Sequence, residues 1–212
     1  MKNTLSLLTL VAASSALAQS APNVAKKPAL QHSVEAAYMA SSSIQPGADD
    51  LEGYNLSARA YVWQNVFVAL EYYTGMTDFL TPAPVDVDIT RFGYGLGATF
   101  QVGPGQLSIS YTLGEIEQEA DTLGSQKADQ DRANVTYSQS FGNGFVASLG
   151  VTQFFNDDAV GLSDDSTAVI LGVGYDFGNG LSVQLSYSPD SADVGVDEAT
   201  ENTFSLGARY SF

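Results

Sequence analysis

The chain has 212 residues, of which 15% are charged, and its 24 acids against 8 bases give a formal net charge of −16. Soluble domains carry about 25% charged residues, so this composition is unlike theirs, and so negative a chain repels nucleic-acid phosphates. With no cysteine there is no disulfide framework and no lipid attached through a thiol.

The first element is an export signal. Lys2 gives a positive start, residues 5–18 form a run of apolar and small residues, and Ala16-Leu17-Ala18 has the A-x-A form that signal peptidase accepts. Residues 1–18 are therefore expected to be a cleavable signal peptide; the run is too short for a membrane-spanning helix. Export without cysteine suits a bacterial envelope protein. Residues 19–30, with two prolines and two lysines, read as a flexible lead-in.

From residue 31 to 212 one pattern recurs: an alternating stretch, a turn, a second alternating stretch, then a polar acidic segment. Period-2 alternation marks a strand with two unlike faces. Ten strands are predicted, at 31–40, 53–63, 66–74, 88–102, 106–116, 131–141, 145–155, 167–177, 181–188 and 202–212, with eight as the alternative count. Short connections at 64–65, 103–105, 142–144 and 178–180 are rich in Gly and Asn, which supply the positive φ of tight hairpins. Long acidic connections at 41–52, 75–87, 117–130, 156–166 and 189–201 alternate with them.

The polar face decides which side points inward. In residues 91–102, Phe92, Tyr94, Leu96, Ala98, Phe100 and Val102 oppose Arg91, Gly93, Gly95, Gly97, Thr99 and Gln101. The polar faces are mostly Gly, Ser, Thr, Asn and Gln, whereas a water-exposed sheet would carry Lys and Glu. Small polar residues suit a barrel lumen, with lipid against the apolar face. Lipid also forces the sheet to close, because an open edge cannot be satisfied in hydrocarbon. Outward aromatics fall into two groups. Phe100, Phe141, Phe145, Tyr175, Phe177, Tyr210 and Phe212 lie toward the short turns. Tyr54, Tyr72, Tyr94, Tyr111, Phe155, Tyr187 and Phe204 lie toward the long loops. Two such levels match the two interfaces of a bilayer. The expected fold is thus all-β: a closed, antiparallel, up-and-down transmembrane barrel.

With its export signal, turn–loop order and terminal ARYSF, the chain resembles small bacterial outer-membrane β-barrels, the porin-like and OmpA-type membrane domains. The resemblance covers residues 31–212. It implies that Tyr210 and Phe212 form the signal read by the barrel-assembly machinery, and that the outer membrane is the destination.

Glu35, Arg59, Glu71 and Arg209 all have inward parity. They are expected to form a charge row on four adjacent strands, in the order Arg209, Glu35, Arg59, Glu71, with Arg59 and Glu71 facing each other about the 64–66 turn. Tyr61, Trp63, Phe67 and Tyr73 share that face and make it bulky. The remaining acids are assigned to the long loops and to strand ends beside them, apart from Asp176.

The expected role is non-enzymatic: a barrel presenting acidic extracellular loops, with an envelope-structural, adhesion or binding function. The alternative is a narrow pore for small solutes or ions. The expected partners are the bilayer, lipopolysaccharide or another outer-leaflet lipid, and divalent cations at the acidic loops. No EF-hand spacing marks a dedicated metal site, and no cofactor is expected. The single histidine, His32, lies at the start of the first strand and lacks the nucleophile-and-base setting of a catalytic group.

Overall fold

The structure, a computed structural model, describes residues 31–43, 52–81, 83–120, 124–156, 166–189 and 201–212. The expected signal peptide at 1–18 and the expected lead-in at 19–30 lie outside the described residues, as do residues 44–51, 157–165 and 190–200. In chain order the strands are β1 Ser33–Ser43, β2 Glu52–Trp63, β3 Val66–Thr81, β4 Ala83–Val102, β5 Gly105–Ala120, β6 Gly124–Ser140, β7 Phe145–Asn156, β8 Ser166–Asp176, β9 Leu181–Ser188 and β10 Glu201–Ser211. Each strand pairs antiparallel with the next, and β10 closes on β1, giving a barrel of ten strands.

Closure places Ser33 opposite Ser211 and Glu35 opposite Arg209. One further backbone bond, from Phe212 N to His32 O at 2.9 Å, continues the seam past the last ladder pair. The rings of His32 and Phe212 lie 5.8 Å apart there.

Alternation sorts the residues as lipid requires. Leu96, Val173 and Leu206 are about 60% exposed on the outer wall, while Thr136 and Ser138 on the inner face are essentially inaccessible. The outward aromatics gather into pairs at both levels. Phe145–Tyr175 and Tyr175–Phe177 stand 5.3 and 5.0 Å apart near the short turns. Tyr38–Tyr54 and Tyr187–Phe204 stand 5.5 and 4.9 Å apart near the other end. The short turns take positive φ at Gly103, at Gly142, Asn143 and Gly144, and at Gly178 and Gly180; Gln64 does so as well.

The structure departs from the sequence expectation in three places. First, the segments 75–87 and 117–130 are not loops. Strands β3 and β4 run to Thr81 and from Ala83, and β5 and β6 to Ala120 and from Gly124. A barrel strand needs about 9–11 residues to cross a bilayer, whereas these four have 16, 20, 16 and 17. They rise past the aromatic level as a four-stranded wall, so Asp78, Asp86, Glu117, Glu119 and Asp129 are strand residues. Second, the inward face is not uniformly small and polar. Ile89, Ile116, Phe154, Ala168 and Ile170 are buried on it toward the long-loop end. Third, the β2–β3 register shifts between Tyr61 and Trp63. Val62 is the extra residue of a bulge, and Trp63 beyond it is 70% exposed rather than part of the bulky inner face.

Candidate functional site: the charged lumen

All four arginines of the sequence, Arg59, Arg91, Arg132 and Arg209, have inward register and are buried. Glu35 and Glu71 join them on the inner face. Asp176 stands at the short-turn rim, where its carboxylate accepts the Gly178 amide at 2.8 Å. Among the residues whose side chains are described, a strongly acidic chain therefore sets four arginines on its inner wall against Glu35, Glu71 and, at the rim, Asp176.

The six charges form two groups. Nearer the short turns, Glu35 faces Arg209 on β10 and Ser57 on β2. Arg209 Nη2 donates to Ser33 Oγ at 2.9 Å, while its Nε and Nη1 have no hydrogen-bond partner among the described residues. The Arg59 guanidinium stands 5.1 Å from the centre of the Phe67 ring, a cation–π contact. Tyr61 packs edge-on against Phe67, and its hydroxyl meets that of Thr99 at 2.9 Å.

The turn pairing and the bulge at Val62 together move the expected row by two residues. Arg59 lies opposite Ala69 and Glu71 opposite Ser57, so Arg59 and Glu71 do not face each other across the ladder. The tight turn, which pairs Trp63 with Val66, takes up one residue of the shift and the extra residue on β2 takes up the other, and the two charges become diagonal neighbours.

Glu71 instead anchors the second group. Its Oε2 accepts from Arg91 Nη1 at 3.4 Å and from Arg132 Nη2 at short range. Arg91 reaches Glu71 from β4 and Arg132 from β6, with β5 between them. Two glycines make this crossing possible: Glu71 faces Gly93, and Gly93 faces Gly114. A Cβ on Gly114 would sit 2.5 Å from Arg91 Nη2 and 2.9 Å from Gln130 O; one on Gly93 would sit 3.0 Å from Arg91 Nη1. The guanidinium lies in that trough and donates from Nη2 to Gln130 O at 3.2 Å. The β5–β6 ladder runs from Thr112–Arg132 to Glu115–Asp129, and Arg91 serves the backbone oxygen in the interval.

Arg91 and Arg132 were absent from the expected row. Their parity was readable: Arg91 alternates with Gly93, Gly95 and Gly97, and Arg132 with Asn134, Thr136 and Ser138. Arg91 meets Glu71 diagonally from the adjacent strand and Arg132 meets it across β4 and β5; neither contact is a sequence-local property, and only the register reveals them.

The raised β5–β6 hairpin carries the opposite electrostatics on its outer face. Lys127 bridges Glu115 at 2.8 Å and Glu117 at 3.3 Å. A hydrogen bond from Ser125, and then one from Lys127, holds the Glu117 carboxyl below its usual range. The bonds to Glu115 and Glu117 raise the Lys127 ammonium in turn. Glu115 faces Asp129, and Asp88 faces Glu119, across the ladder. Among the described residues no group of His, Cys, Asp and Glu is arranged to hold a metal ion.

This geometry matches known outer-membrane barrels. The NanC porin superposes with a TM-score of 0.52 at 12% identity, over 84% of this chain and 100% of its own. The translocator domain of the autotransporter NalP from Neisseria meningitidis superposes with a TM-score of 0.50 at 14% identity, over 89% of this chain and 90% of its own. These likenesses concern the fold. No curated protein sequence matches the chain. The family described as Gram-negative porin matches residues 87–212, more than half of the length. The closed barrel with its lipid-facing apolar wall is thus an outer-membrane barrel, and the chain belongs to the Gram-negative porin family.

Proposed function

We propose that the protein is a narrow outer-membrane pore whose lumen favours small anions. The observation that carries this reading is the inward placement of every arginine in a chain whose net charge is −16. A low-dielectric wall lined by one sign of charge raises the local concentration of the opposite ion. Ten strands enclose far less space than the 16–18 of large porins, so only small solutes fit. Family membership supports the same reading. The experiment is swelling of liposomes that hold the purified barrel. Small organic anions should enter faster than neutral solutes of equal size, and cations of equal size should enter slowest. Equal rates for all three, or fastest entry by cations, would refute the reading.

A second role, surface binding, is supported by the outer face of β5 and β6, where Glu115, Glu119 and Asp129 are exposed and Glu117 half-buried about Lys127. Divalent cations held there would bridge the wall to anionic lipopolysaccharide. In this reading the long-loop end is extracellular, residues 1–18 direct export, and Tyr210 and Phe212 are read by the barrel-assembly machinery. Outer-leaflet lipid retained on the purified wild type, and lost when Glu115, Glu117 and Glu119 become Gln, would support this role. Equal retention would remove it.

A further inference from the structure

We infer that Arg91 and Arg132 form a carboxylate-binding site inside the lumen, and that the Glu71 side chain is its built-in ligand, which a permeating carboxylate displaces. The inference rests on the pore reading and names the solute class: small, planar carboxylates.

Three features of the cluster lead there. The two guanidinium groups come from different strands and converge on one oxygen, Glu71 Oε2. Guanidinium is the side chain whose fork matches a carboxylate. Two cations around one anion leave the cluster positive, so a second anion is attracted even while the first is bound.

The arginines are the fixed part. Arg91 is 1% exposed and Arg132 4%, against 12% for Glu71. Arg91 lies in the trough over Gly93 and Gly114, held at Nη2 by Gln130 O. A glycine trough leaves the guanidinium in place when its carboxylate partner leaves.

Arg91 also has capacity to spare. Its Nε is buried and has no hydrogen-bond partner among the described residues. Glu71 occupies Nη1 at 3.4 Å, a long contact. A free carboxylate, unconstrained by a backbone on β3, can place one oxygen on Arg91 Nη1 and the other on Arg132 Nη2, where Glu71 serves both with Oε2 alone.

The test uses acetate and formate as probes on the whole barrel. Glu71→Ala removes the internal ligand and leaves its two arginines. Removing one partner of a buried ion pair is destabilising, so this variant should unfold at lower urea than wild type. Acetate should raise its midpoint with saturation, as a ligand of the folded state does. In planar bilayers the same acetate should lower its chloride current by roughly threefold or more, as expected of a charge-assisted occupant. The wild type, in which acetate must first displace Glu71, should give the same responses only at higher acetate concentration; no response at any concentration would mean that Glu71 is not displaced. Adding Arg91→Lys to Glu71→Ala should abolish the acetate response.

Glu71→Gln, which keeps the shape and a hydrogen-bonding oxygen, provides a second variant should the alanine barrel not assemble. It should pass chloride faster than wild type and should bind acetate. A folded Glu71 variant indifferent to acetate in both stability and current would overturn the inference. A wild type that conducts nothing, beside a Glu71 variant stabilised by acetate, would retain the binding site and overturn the pore reading instead.

Discussion

At the scale of single residues, the two glycines beneath Arg91 show how a missing side chain builds a charged site. Gly93 and Gly114 were legible as inward positions, but nothing local says that they accommodate a guanidinium from a neighbouring position and strand. A Cβ at Gly114 meets both Arg91 and the backbone at Gln130. Gly114→Val should therefore cost about 1–3 kcal/mol, the usual price of overpacking, read as a lower urea midpoint from lipid or detergent. Gly103→Val is the control in space but not in backbone: nothing lies within 4 Å, yet its φ of +57° strains a β-branched residue. Coupling separates the expected row from the observed cluster. Glu71 and Arg91 should be strongly non-additive in a double-mutant cycle, and Glu71 and Arg59, now diagonal across the bulge, less so. Equal coupling in both cycles would mean that the β2–β3 register is wrong. The sequence could place each charge on the inner face, since parity is local. It could not place the bulge at Val62, because a single extra residue leaves the alternation on either side looking intact.

At the scale of strands, most boundaries follow from alternation and from the Gly and Asn turns. The tall wall does not, and the reason is chemical. In residues 84–90, PVDVDIT, alternation persists, but aspartate alternates with the apolar residues and gives the stretch the composition of a loop. Above the lipid band, water replaces hydrocarbon, and acids are acceptable on the outer face of a continuing ladder. Residues 115–131 behave in the same way. The consequence is an exposed hairpin on the side opposite the short turns. Ser125→Cys should react with an impermeant maleimide on intact cells, whereas Asn143→Cys, in a short turn, should not. The reverse labelling would invert the assigned orientation. The last strand carries its own expectation. Phe212 donates its amide to His32 O and stacks on Tyr210 at a ring distance of 6.0 Å. Phe212→Ser keeps the amide and removes the ring. Its membrane-inserted, heat-modifiable fraction should fall several-fold while the chain is still exported; an unchanged fraction would show that the ring is dispensable for assembly.

At the scale of the whole molecule, the barrel separates its charges by sign. The resemblance to outer-membrane barrels and the count of ten strands were available from pattern alone, because lipid imposes closure, alternation and aromatic levels together. Charge segregation was partly legible: the acids outnumber the bases threefold in the sequence and parity puts the arginines inside, but only the register sets Arg91 and Arg132 about Glu71. That segregation is what makes an anion-favouring lumen the central claim. The most direct measurement is the reversal potential of the wild-type barrel in a planar bilayer with a tenfold gradient of potassium chloride. The expected result is conductance with a reversal potential of the sign set by chloride, drifting toward zero preference as ionic strength rises and screens the lumen. A reversal potential of the sign set by potassium, or a reconstituted barrel that passes no current, would contradict it.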